Sequence, residues 1–259
     1  MNHAAAFFRG AVALIPPSFS PAAWLRLVRV PNLLTVPGDI LAGFLLAPAA
    51  SSLDWGQFLF LALPAGLCLY AAGLILNDVF GYADDLRERP WRPLPARQVT
   101  RENAVAVALV LLWVAAFAAA FFDALPVAIP LILCLILYDI GLKRIPVLGP
   151  LLMGACRAGN LLLGAAAVGD GISTAPGPVI GAILLGAYVA VVTHLARREA
   201  EPEASITPRH VARLLRMLLP LQALLCLAAV QHFPANLLGL ALLPLLPLHR
   251  RLATRFPPS

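Results

Sequence analysis

Between residues 77 and 95 the chain reads Asn77-Asp78-Val79-Phe80-Gly81-Tyr82-Ala83-Asp84-Asp85-Leu86-Arg87-Glu88-Arg89-Pro90-Trp91-Arg92-Pro93-Leu94-Pro95. Oxygen ligands come first and guanidinium groups follow. If one helix continues through the start of this stretch, Asn77, Asp84 and Asp85 share a face at i, i+7 and i+8. Oxygens grouped in this way suit a hard cation such as Mg2+, which usually bridges carboxylates to substrate phosphates. The arginines immediately downstream offer bidentate phosphate binding. Together these groups could hold a diphosphate. The same charges would equally make a solvated loop whose acids and arginines pair with one another.

Three further sets carry charge. Tyr138-Asp139-Ile140-Gly141-Leu142-Lys143-Arg144 places one acid beside two cations. Lys143 there is either a point charge for a phosphate or the partner of Asp139 across one helical turn. In His194-Leu195-Ala196-Arg197-Arg198-Glu199-Ala200-Glu201-Pro202-Glu203, Glu199 and Glu203 lie four apart. Pro202 disfavours helical geometry at Glu201, so a solvated loop is the simpler reading. Asp39 and Arg157 sit inside apolar runs. An ionised group at membrane depth costs about 2.5–3.5 kcal/mol on insertion scales. The two either pair structurally or line a chamber with Asn32 and Asn160.

The elements that must position these groups are apolar helices. Of 259 residues, 61% are hydrophobic and 12% are charged, and the mean hydropathy is +0.86. An average soluble domain carries about 25% charged residues. Both an ordinary soluble globule and a disordered chain are thereby excluded. Eight apolar segments are predicted: 31–50, 58–77, 104–122, 125–140, 147–168, 179–196, 214–230 and 234–248. The fourth and eighth are short for a bilayer core of about 30 Å. Residues 1–23 are expected to lie along the membrane surface, because the run from Ala11 to Ile15 is too short for a signal peptide. The four cysteines form no CxxC pair, so neither a zinc site nor a disulfide framework is indicated.

The net charge of +6 would suggest nucleic acid in a soluble chain. Here the cations alternate from loop to loop. Arg9, Arg26 and Arg29 precede the first segment, and Arg87 to Arg101 lie between the second and third. Lys143 and Arg144 follow the fourth, Arg197 to Arg213 the sixth, and Arg250 to Arg255 the eighth. The intervening connections hold none. Positive charge marks the cytoplasmic side, so both termini are expected there, in a cytoplasmic membrane and without a nucleic-acid partner. Seven prolines interrupt the spans, which argues for a packed bundle around a cavity.

At residues 77–95 the sequence resembles the UbiA superfamily of intramembrane prenyltransferases. The family's NDxxDxxxD motif and the RPxRPxP-like stretch after it read here as Asn77-Asp78 … Asp85 … Arg89-Pro90-Trp91-Arg92-Pro93-Leu94-Pro95. Arg29-Val30-Pro31-Asn32, Asp39-Ile40-Leu41-Ala42-Gly43, Tyr138-Asp139 … Lys143-Arg144 and Gly154-Ala155-Cys156-Arg157-Ala158-Gly159-Asn160 are similar to the EboC-type branch. The resemblance covers roughly residues 24–215, within a UbiA-like domain expected over 24–259. It implies an all-α transmembrane bundle with a central cavity. It also implies Mg2+-dependent transfer of a prenyl group from a polyprenyl diphosphate to a lipophilic, possibly aromatic, acceptor.

Carried over by position, Asn77, Asp78, Asp85 and Lys143 are the catalytic set. Asn77, Asp84, Asp85, Glu199 and Glu203 would hold metal. Asn32, Arg89, Arg92, Asp139, Arg157 and Asn160 would bind substrate. Three departures stand out. The motif's central aspartate is Gly81, the second acidic motif is reduced to Arg198-Glu199 … Glu203, and the family usually has nine spans. These departures define an alternative: a UbiA-like protein that has lost turnover and binds or helps export an isoprenoid or small metabolite.

Overall fold

The computed structural model describes residues 20–48, 53–169, 172, 175–198 and 207–255. The described residues are helical, with no strands. Two short helices, α1 (Pro21–Leu27) and α2 (Val30–Leu33), lead into α3 (Val36–Leu46). The long α4 (Trp55–Phe80) follows, then the short α5 (Tyr82–Glu88) and α6 (Arg101–Ala120). α7 (Leu125–Ile140) and a 3-10 turn (Leu142–Arg144) precede α8 (Leu148–Ala166). The chain ends with α9 (Pro176–Arg198), α10 (Pro208–Leu227), a 3-10 stretch (Ala235–Leu242) and α11 (Leu245–Arg255).

Local chemistry sets the ends of these helices. Asp54 caps α4 by accepting from the Gln57 N–H at 2.9 Å. Pro64 cannot donate a backbone hydrogen bond, and the turn before it, Phe58–Ala62, widens to a π-helix. Thr100 caps α6 through the Asn103 N–H at 3.2 Å. Gly81 divides α4 from α5, so the single helix expected through 77–85 is two helices. The predicted fourth segment matches α7 to the residue. The eighth is corrected to a broken element, 3-10 first and α-helical after. The surface segment expected over 1–23 lies outside the described residues up to Phe19, and its end begins α1.

Four described helices are long and apolar enough to cross a membrane: Trp55–Phe80, Arg101–Ala120, Pro176–Arg198 and Arg209–Leu227. Their outer faces keep large apolar side chains exposed. Trp113, Phe117 and Phe121 form a continuous aromatic ladder on α6, a surface that lipid would cover. Inside, α3 sits directly against α8. A Cβ on Gly43 would collide with the Leu161 carbonyl, and one on Gly164 with the Ile40 carbonyl. Small residues are what allow membrane helices to approach so closely. This contact brings Asp39 of α3 opposite Arg157 of α8.

Candidate active site

One end of the bundle gathers the charges of four elements. α4 delivers Asn77 and Asp78 at its last turn, α7 delivers Asp139, the 3-10 turn delivers Lys143, and the loop after α5 delivers Arg92. Arg29, just before α2, is the fifth arrival. Its backbone is left-handed at φ 45°, a conformation uncommon outside glycine. Arg29 Nη2 lies 2.6 Å from Asp78 Oδ1. Arg92 Nη1 lies 2.6 Å from Asp85 Oδ2 and 3.5 Å from Asp78 Oδ1. Lys143 Nζ donates to Asn77 Oδ1 at 3.0 Å and stands 3.8 Å from Asp139. Arg89, at 3.8 Å, is a looser and more exposed partner of Asp85.

These cations are poorly hydrated. Burial, and then the neighbouring Arg29 charge, pushes the Arg92 guanidinium below its ordinary pKa. Burial does the same to Lys143. A cation short of water gains from an anionic partner. Arg92 is held by Asp85, and Lys143 by Asn77 and Asp139, beside Arg29.

A cavity of 330 Å3 opens from the mouth into the bundle. Arg29, Asn77, Tyr138 and Asp139 line it at the charged end, and Leu69, Leu131 and Leu135 line its apolar walls. Deeper, it meets Asn32, Arg157 and Asn160. Arg157 Nε pairs with Asp39 Oδ2 at 2.8 Å, across 118 residues of sequence. Its guanidinium also donates to the Thr35 hydroxyl at 3.1 Å and lies over the Tyr70 ring at 5.3 Å. Gln222 completes the network through Asp39 and the Thr35 carbonyl. The two readings of the Asp39–Arg157 pair therefore both hold: it is an ion pair, and its arginine faces the cavity.

The UbiA prenyltransferase family model matches residues 39–257, most of the chain. The chain belongs to this family. Digeranylgeranylglyceryl phosphate synthase of Saccharolobus solfataricus is 28% identical over 144 residues, 55% of this chain and 50% of that protein. Its namesake in Methanoregula boonei is 34% identical over 123 residues, 47% of this chain and 43% of that one. The chain thus spans about half the length of the curated relatives it matches. A solved UbiA homolog from Archaeoglobus fulgidus bound to GPP and Mg2+ aligns over 90% of this chain and 87% of its own, with TM-score 0.58 and 16% identity. A solved digeranylgeranylglyceryl phosphate synthase aligns with TM-score 0.57 and 19% identity, covering 90% and 92% of the two chains. At these identities the likeness is one of fold. This UbiA-family chain is a multi-pass membrane protein.

In this UbiA bundle the first acidic motif is only partly assembled. Asp78 and Asp85 are buried and meet at Arg92. Asp84 does not join them. It is exposed and pairs with Arg144 at 3.0 Å, because neighbouring residues of one helix point about 100° apart and Asp85 takes the inward direction on α5. The shared face expected for Asn77, Asp84 and Asp85 is corrected accordingly. A Cβ on Gly81 would stand 3.9 Å from both Asp85 Oδ2 and Lys143 Nζ. That backbone point faces the mouth and carries no oxygen. Glu199 and Glu203 lie outside the described residues.

Among the described residues no three His, Cys, Asp or Glu side chains form a metal-holding group. Mg2+ usually takes one or two carboxylates and completes its shell with water and substrate phosphate. Asp78 and Asp85 are two such carboxylates, each engaged in this structure by a guanidinium, Asp78 by Arg29 and Asp85 by Arg92. Sequence reasoning did not single out Arg29, Thr35, Tyr70, Gln222 or His249 as site residues. Arg29 alone had a signal, its place beside Pro31-Asn32. The others sit in apolar or basic stretches without a motif.

Proposed function

We propose that the chain transfers a prenyl group from a prenyl diphosphate to a lipophilic acceptor inside a cytoplasmic membrane. The supporting observation is a single cavity that joins the cationic mouth to a polar floor through apolar walls. The diphosphate belongs with Arg29, Arg92 and Lys143, with Arg89 at the rim, and the prenyl chain belongs along Leu69, Leu131 and Leu135. Arg157 and Asn160 face the acceptor. The relatives' name describes a glyceryl phosphate carrying two geranylgeranyl groups, so an acceptor of that type is the first to try.

Asn77, Asp78 and Asp85 would hold Mg2+, which when bound neutralises charge on the leaving diphosphate. The chain's own cations stabilise the same developing charge. Arg29 and Arg92 orient the two phosphates, and Lys143 supplies a point charge beside Asn77. The apolar walls keep water from the allylic carbon while it carries positive character.

The test offers purified protein geranylgeranyl diphosphate, Mg2+ and a panel of lipophilic acceptors. Diphosphate release that disappears in Asp85→Ala supports transfer. A second reading, binding without turnover, is favoured by Gly81 and by the outward turn of Asp84. Tight binding with no release across the whole panel would select it.

A further inference from the structure

His249 stands apart from the groups so far assigned. It lies on α11, whose neighbours Arg250 and Arg251 are exposed, while His249 itself is only 6% exposed. It reaches the cavity wall formed on the α10 side by Val211, Leu215 and Leu218, which lie at i, i+4 and i+7 on one helix face. α11 packs against α2 and α10, which aims the imidazole between them. His249 Nδ1 is buried without a hydrogen-bond partner. A buried polar atom left unpaired is costly, and such an atom asks for an explanation. The deep polar network does not supply one, since Arg157, Asp39, Thr35 and Gln222 are bonded to one another. Asn160 Oδ1, likewise buried and unpartnered, faces the same cavity. These two unpartnered polar atoms on different helices share a cavity whose charged residues, Arg29, Asp139 and Arg157, each keep an atom without a hydrogen bond but are ion-paired.

We infer that His249 is the general base that receives the proton of the acceptor's nucleophilic hydroxyl. This rests on the transfer reading above. The acceptor oxygen forms a bond to the allylic carbon, the carbon–oxygen bond to diphosphate breaks, and its electron pair leaves with the diphosphate. The hydroxyl proton passes to the imidazole nitrogen. The step is written for an alcohol acceptor, whose proton must be removed as the bond forms. Position on the last described helix also gives that helix a task in the reaction beyond packing.

The experiment uses the full chain in detergent, with geranylgeranyl diphosphate as donor and the mono-geranylgeranyl ether of glycerol phosphate as acceptor probe. Donor binding is read by tryptophan fluorescence, and transfer by product mass. Carbethoxylation of His249 by diethyl pyrocarbonate is read by peptide mass spectrometry. General bases contribute roughly 100-fold or more to a rate. His249→Gln is therefore expected to slow transfer by roughly 100-fold while donor affinity stays within about twofold. The ether probe is expected to shield His249 from carbethoxylation, and the donor alone is not. Undiminished transfer, a parallel loss of donor affinity, or no shielding by the probe overturns the assignment. Failure of the unmodified chain to turn over the probe overturns the assignment; if His249→Gln does not fold, the shielding result on unmodified protein decides. Failure of the unmodified chain to bind the donor overturns the transfer reading itself, and is read separately from every result on His249.

Discussion

Arg92 Nη1 is shared between Asp85, at 2.6 Å, and Asp78, at 3.5 Å. One guanidinium thus ties the end of α4 to α5 across the break at Gly81. A planar fork of fixed donors suits this task better than an ammonium does. The same group is proposed to bind the diphosphate, so its structural and binding roles overlap.

Arg92→Ala leaves two buried carboxylates short of a cation. Removing one partner of a buried pair costs about 3–5 kcal/mol. We expect a loss of that order, reduced because Arg29 still reaches Asp78, in denaturation of the detergent-solubilised protein. Geranylgeranyl diphosphate affinity should fall by roughly tenfold or more, the range of hydrogen bonds to charged groups. Arg92→Lys should recover part of the affinity and little of the stability. Unchanged affinity in Arg92→Ala would remove this residue from the diphosphate site.

Gly81→Asp restores an oxygen at the bare point of the motif. The new Cβ lies 2.9 Å from the Asn77 carbonyl, so a backbone shift costing about 1–3 kcal/mol is expected. The added carboxylate should make donor binding more dependent on Mg2+, read as the ratio of affinities with Mg2+ and with EDTA. An unaltered ratio would mean that position 81 does not face the metal–diphosphate.

The Asp39–Arg157 pair can be tested as a cycle. Either single change to an apolar residue strands a buried charge and should cost about 3–5 kcal/mol. The double apolar variant should cost less than the sum, because no charge is stranded. Asp39→Lys, which sets two cations together, should lower expression more than Arg157→Leu does. Equal expression of these two variants would count against a direct pair.

Gly164→Ala places a methyl group against the Ile40 backbone. Overpacking of this kind typically costs about 1–3 kcal/mol, and a carbonyl cannot rotate aside as a side chain can. A lowered melting temperature is the expected result, with the α3–α8 contact and the Asp39–Arg157 pair loosened together. A melting temperature equal to the parent's would show that the two helices have room to separate.

Much of the architecture was legible in the residues. Hydropathy located α7 to the residue and most other helices to within a few positions, because apolar length is a local property. The charged mouth was legible as well. Asn77, Asp78, Asp85 and Arg92 of one tract lie against Asp139 and Lys143 of another. Asp84 is the instructive exception. Gly81 ends the helix that carries Asn77, so the wheel cannot be continued to either aspartate; on α5 itself the two neighbours point about 100° apart, and packing buries only Asp85.

The sequence by itself determined that this is a bundle of apolar helices whose scarce charges gather at loop ends and at one motif. Hydrophobic period and charge placement need no knowledge of neighbours. Only the tertiary structure decided which charge answers which. Arg157 meets Asp39 across 118 residues, Arg29 reaches Asp78 across 49, and His249 is turned into the cavity by a helix whose composition reads as a basic tail. Pairing depends on how helices cross, and the crossing of α3 and α8 is set by glycines whose effect is felt only when a second backbone arrives.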